Sequence, residues 1–134
     1  MTIGYSGTPL NKKLGIQAGW EIHLVHPPED YLNLVGLPPD VTVCPRLSKT
    51  TDLIHLFTTK KKELSKELSG YRGKIKSNAV VWVSWPKKSS KVPSDVTEDT
   101  IREVALPLGF VDIKVCAVTE IWSGLKLVIR KELR

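Results

Sequence analysis

An α/β fold is what this sequence predicts: a single open, mostly parallel six-stranded sheet, with helices on both faces and a C-terminal antiparallel hairpin. Three observations carry that expectation. Ala79–Trp85 is an apolar run in which Val80, Val81 and Val83 favour a strand and Trp82 and Trp85 demand deep packing. Shorter strand-like runs precede it, separated by stretches of helical periodicity, which is the alternation of a parallel sheet. Two final apolar runs, Phe110–Val118 and Leu125–Arg130, alternate with charged residues as an edge hairpin does.

Taken in order, Gly4–Gly7 is a lead-in without a fixed place, and Thr8–Gly15 reads as a short helix. Thr8 can cap it, Pro9 suits its first turn, and Gly15 suits the residue past its end. Trp20–His26 is the first strand, closed by Pro27 and Pro28. Glu29 and Asp30 open a short helix through Val35, with acids where the dipole favours them. After the turn Gly36–Asp40, Val41–Cys44 is a second strand, and Asp52–Phe57 a third.

Thr58 and Thr59 introduce a helix in which Leu64, Leu68 and Tyr71 form one apolar stripe. Lys60, Lys61 and Lys62 fall in its first turn, where the macrodipole disfavours cations by a few tenths of a kcal/mol each, roughly. The fourth strand, Ala79–Trp85, is stopped by Pro86, which has no backbone donor. A cationic, hydroxyl-rich loop follows. Asp95 and Glu98 have the spacing of a capping box, and Ile101, Val104, Ala105 and Leu108 make the stripe of a helix ended by Pro107 and Gly109. A connection carrying Trp122-Ser123-Gly124 joins the last two strands.

The 134 residues suit one domain, with 41% hydrophobic and 25% charged residues, ordinary for a soluble globular protein. No run approaches the roughly 18 apolar residues of a membrane span, and Met1–Gly19 lacks the apolar core of a signal peptide, so the expectation is a cytoplasmic protein without a membrane partner. Cys44 and Cys116 read as small buried hydrophobes. A net charge of +6 and a pI near 9.4 raise the odds of a phosphate-bearing partner.

This order of elements resembles the class I methyltransferase fold, a Rossmann-like sheet, here with a shortened front half. The segments SGTPLNKKLG, VVWVSWPKKSS and IWSGLKLVIRK also resemble a small bacterial family, a domain of unknown function that brings no established activity. The methyltransferase resemblance implies the strand order 2-1-3-4-6-5. It also implies a glycine-rich turn after the first strand and an acidic residue ending the second, which together hold S-adenosylmethionine. This chain departs at both places. Its first strand runs into His26-Pro27-Pro28, without the close approach or donors that glycines supply, and its second ends Val43-Cys44-Pro45-Arg46.

In that topology the carboxyl ends of the first, third, fourth and fifth strands share a rim at the switch point where ligands bind. The rim gathers His26, Thr58, Thr59, Lys60, Trp85, Lys87, Lys88, Ser89, Ser90, Trp122 and Ser123 as candidate ligand-binding residues. Helix amides after Thr59 and Asp95 would favour an anion there. Two tryptophans among lysines suit a planar anionic ligand such as a nucleotide.

No metal-binding spacing, nucleophile elbow, Walker loop or dinucleotide fingerprint occurs, and His23 and His26, three apart, point to opposite strand faces. His55 reads as a hydrogen-bonded core histidine, and Ser84 or Ser123 as a nucleophile has no support. His26 is the one candidate general base. The sequence therefore favours a non-enzymatic binding or regulatory protein with no cofactor and no metal. A residual methyltransferase-like transferase with an atypical donor is one alternative, and a nucleic-acid-binding protein using Lys60–Lys62 and Lys87–Lys91 is another.

Overall fold

The computed structural model describes residues 8–134, so the lead-in Gly4–Gly7 lies outside the described residues. The elements in chain order are α1 (Leu10–Leu14), β1 (Glu21–Val25), α2 (Tyr31–Val35), β2 (Thr42–Val43), β3 (Leu53–Phe57), α3 (Lys61–Arg72), β4 (Val80–Pro86), α4 (Glu98–Ala105), β5 (Phe110–Ala117) and β6 (Trp122–Ile129). They form a six-stranded sheet of order β2-β1-β3-β4-β6-β5. The pairs β1–β2, β1–β3 and β3–β4 are parallel, and β6 runs antiparallel to both β4 and β5. The strand order implied by the resemblance is the one observed.

Strand alternation divides the core between two faces. Ile54, Leu56, Val81, Val83 and Trp85 pack with Leu64, Leu68 and Tyr71 of α3 and Ile101 and Ala105 of α4. Leu53, Phe57, Val80 and Trp82 pack on the other face with Leu14 of α1 and Tyr31 and Val35 of α2. Burying each large side chain contributes roughly 1.5–3 kcal/mol, so the all-buried strands β3 and β4 anchor both layers. Trp82 is fully buried, and its indole N–H donates to the Leu14 carbonyl at 2.9 Å, which ties α1 to the central strand.

Several sequence expectations are corrected. Asp95 and Glu98 do not form the capping box of α4. Thr97 caps it, through a reciprocal box with Thr100, and Glu98 is its first helical residue. Trp122, Ser123 and Gly124 belong to β6 rather than to a connection, so the hairpin turn is shorter than expected. The alternation in β5 breaks at a bulge between Asp112 and Lys114. That extra residue leaves Ile113 and Val115, apolar members of the alternation, 53% and 46% exposed. The acids Glu29 and Asp30 precede α2, and Asp30 makes no side-chain cap there. Cys44 and Cys116 are free and half-buried rather than buried. No helix among the described residues is long and apolar enough to cross a membrane.

Candidate functional site

The parallel strands place the ends of β1, β3, β4 and β5 along one edge, with the start of β6 beside them. β2 and β3 flank β1 on opposite sides, so the chain reverses its order across the sheet at β1. At the end of β1, His26 adopts a left-handed backbone with φ +54°. Non-glycine residues pay for that conformation in strain, and such positions concentrate at functional sites. Its Nδ1 lies 3.5 Å from Glu63 Oε2, and Thr58 Oγ1 donates to Glu63 Oε1 at 2.7 Å. Glu63 therefore holds the middle of the rim, between two of the expected ligand-binding residues. The signal for it was present as an acid in the first turn of α3, overshadowed by three adjacent lysines.

At each helix start expected to bind an anion, one amide is already engaged by the chain. Asp95 Oδ1 accepts the Lys61 amide at 2.6 Å, and Thr97 Oγ1 accepts the Thr100 amide at 3.2 Å. Both bonds satisfy donors that a helix start otherwise leaves open.

The rest of the expected rim divides in space. Lys87 donates its amide to the Ile121 carbonyl at 2.7 Å, and Lys88–Ser90 form a 3-10 turn closed by Lys91 at φ +61°. The Ser90 hydroxyl donates to the Lys87 carbonyl at 2.6 Å, while Lys88 and Ser89 are exposed. Lys60 is exposed at the start of α3, and the Thr59 carbonyl accepts the Asp95 amide. Trp85 packs among the α3 and α4 residues, whereas Trp122 packs on the opposite face. The two tryptophans do not form a common platform. Ser123 lies opposite Trp85 in the β4–β6 ladder.

Trp122 instead lines an open cleft of about 750 Å³ between α1, α2 and the β5–β6 turn. Pro9, Leu10, Leu34, Val118 and Ile121 supply much of its wall, and its charged lining residues are Lys13, Asp30 and Glu120. The volume falls in the range of small-molecule sites. The sequence reading missed this cleft because a turn residue after β5 and two one-turn helices come together only in the fold.

Behind the cleft lies a chain of aromatic and polar contacts. Trp122 meets Phe57 edge-on, with centroids 5.2 Å apart, and Phe57 stacks on His55 at 4.3 Å. Tyr31 Oη lies 2.8 Å from His55 Nδ1, and His55 Nε2 lies 2.8 Å from Ser84 Oγ. Nucleophile-and-base geometry is superficially present, but His55 and Ser84 are fully buried. Burial pushes the His55 imidazole down to about 3, so it stays neutral, with one nitrogen donating and the other accepting. Burial also raises the Tyr31 phenol. The network is a sealed core structure, as expected for His55. His23 Nδ1 bonds to the Cys44 carbonyl oxygen at 3.0 Å. Among the described residues no cluster of three His, Cys, Asp or Glu side chains could hold a metal ion.

Sheet order, helix placement and terminal hairpin together define a methyltransferase-like Rossmann fold. Solved structures bear this out. An S-adenosylmethionine-dependent methyltransferase from Aquifex aeolicus matches with a TM-score of 0.63 and 18% identity, over 89% of this chain and 87% of that one. A TehB-like methyltransferase from Corynebacterium glutamicum matches at 0.57 and 9% identity, over 90% and 85%. A methyltransferase from Clostridium acetobutylicum matches at 0.55 and 8% identity, over 88% and 87%. No protein-family model matches the chain, and no curated protein matches it by sequence.

The residues present do not fit the methyl donor that this fold implies. The turn after β1 holds His26, Pro27 and Pro28, two of them without an amide donor, and β2 runs into Cys44 and Pro45 with no carboxylate. No methyl-transfer step follows from this geometry.

Proposed function

We propose that this chain is a single-domain, non-enzymatic binding or regulatory protein that keeps the methyltransferase scaffold and holds a nucleotide-like ligand at its carboxyl edge. The carrying observation is the cleft lined by Trp122. An aromatic side chain there suits a base, and Asp30 and Asn33 on the same lining suit sugar hydroxyls. The altered turn after β1 and the sealed state of His55 and Ser84 support binding without turnover. In this reading the protein is cytoplasmic, and the short segments shared with a small bacterial family mark the same scaffold.

The test is a thermal-shift screen of nucleosides, nucleotides, adenosylmethionine and adenosylhomocysteine. A ligand at about 100 times its dissociation constant adds roughly 2.7 kcal/mol, a rise of roughly 5–15 °C. Trp122→Ala should abolish the rise, and the Lys87/Lys88/Lys91→Ala variant should retain it. No rise from any of these compounds would remove the proposal.

A further inference from the structure

A second surface of the molecule segregates charge in a way that folding stability does not require. Lys60, Lys62 and Lys66 lie exposed along the start of α3, and Lys87, Lys88 and Lys91 lie in the loop after β4. None of the six makes an ion pair among the described residues. Three neighbouring acids are engaged by hydrogen bonds within the chain. Glu63 accepts from Thr58, Glu67 accepts the Tyr71 hydroxyl at 2.9 Å, and Asp95 accepts the Lys61 amide. Of the two lysines in the first turn of α3, Lys61 pairs with Glu103 at 2.9 Å, whereas Lys62 opposes the helix macrodipole with no ion pair among the described residues.

The loop is also held in place. Its start is fixed by the Lys87–Ile121 backbone bond, and its end by Asp95, which bonds both the Thr59 carbonyl and the Lys61 amide. The lysine-bearing loop is thereby tied at its end to the start of α3, and the two segments together make up the array. Exposed Ser65 and Ser69 lie among the α3 lysines, and exposed Ser89 lies in the loop, giving neutral donors of the kind that contact phosphates.

We infer that this array docks the phosphate backbone of duplex nucleic acid. Tyr71 and Trp85, the aromatics of these segments, are buried, so no stacking platform for a single strand is offered. Val92 is the one exposed large apolar residue of α3 and the loop, too little to anchor in a lipid surface. The array adjoins the Trp122 cleft through the Lys87–Ile121 bond, but none of its lysines lines that cleft, and the inference does not rest on what the cleft holds.

Fluorescence anisotropy with a labelled DNA duplex of about 20 base pairs, followed between about 50 and 200 mM salt, tests the inference. The full chain should bind in the micromolar range at low salt, with a log–log slope near −4, and more weakly to the single strand. Lys62→Ala/Lys66→Ala/Lys88→Ala should lose at least about tenfold in affinity and flatten the slope by nearly three. The charge-matched Lys12→Ala/Lys49→Ala/Lys131→Ala variant should stay within about threefold. The single reversal Lys66→Glu, at an exposed helix position, gives a second reading should the triple variant not fold. Absence of duplex binding at low salt, equal losses in both triple variants, or preference for phosphatidylserine vesicles over the duplex would overturn the inference.

Discussion

Asp95 caps a helix that lies before it in the chain: its carboxylate accepts the Lys61 amide at 2.6 Å across 34 residues. One side chain therefore closes the N-terminus of α3 and fixes the end of the lysine loop. Asp95→Ala should cost about 1 kcal/mol, the usual worth of an N-terminal cap. Asp95→Asn, which keeps an acceptor, should cost only a fraction of that. Urea denaturation of both variants checks the difference. Equal costs would mean that charge, not the amide bond, matters.

The buried histidine sets an acid limit on stability. His55 binds its proton near 6.5 when unfolded and only near 3 when folded. Above 6.5 both states are neutral and the residue adds no pH dependence. As pH falls from 6.5 towards 3, the unfolded state takes the proton first and stability is lost, by at most about 1.4 kcal/mol per pH unit. Chemical denaturation across that window, with His55→Gln as reference, should show the wild type losing stability more steeply. Parallel curves would contradict the assignment.

Removing the Tyr31 hydroxyl should leave His55 Nδ1 without a partner in the core. Tyr31→Phe is expected to cost about 1–3 kcal/mol while keeping the aromatic contacts. Hydrogen exchange should report the loss as faster opening of α2, since Tyr31 is its first residue.

Gly124 is required by close packing. A Cβ there would lie 3.0 Å from Val118 Cγ2 and 3.2 Å from Trp82 Cε3. Both neighbours are buried, so Gly124→Ala should destabilise by about 1–3 kcal/mol, measured as a lowered denaturation midpoint at unchanged slope.

What could be read from the residues and what could not follow the range of the interactions. Leu64, Leu68 and Tyr71 announced α3 because periodicity is local, and the strand order followed from the resemblance to a known topology. Asp95 looked like the start of the next helix because sequence spacing shows only nearby amides, whereas its actual partner is remote. The β5 bulge at Ile113 leaves no mark in an alternating run, so the exposure of Val115 is not legible from the pattern. Trp85 and Trp122 share a rim in the topology, but the sequence puts Trp122 in a connection, and a loop residue has no assigned face. The cleft depends on how α1 and α2 pack, which no spacing rule encodes.

The most direct test of the proposed function is a ¹H–¹⁵N NMR titration of the full chain with the nucleotide giving the largest thermal shift. The expected result is perturbation of Asn33, Leu34, Ile121 and the Trp122 indole, with the amides of Thr58, Thr59 and Lys60 unmoved. Perturbation centred on His26, Thr58 and Lys60 by adenosylmethionine, accompanied by methyl transfer to any acceptor, would contradict the account and return the protein to the enzymes whose fold it shares.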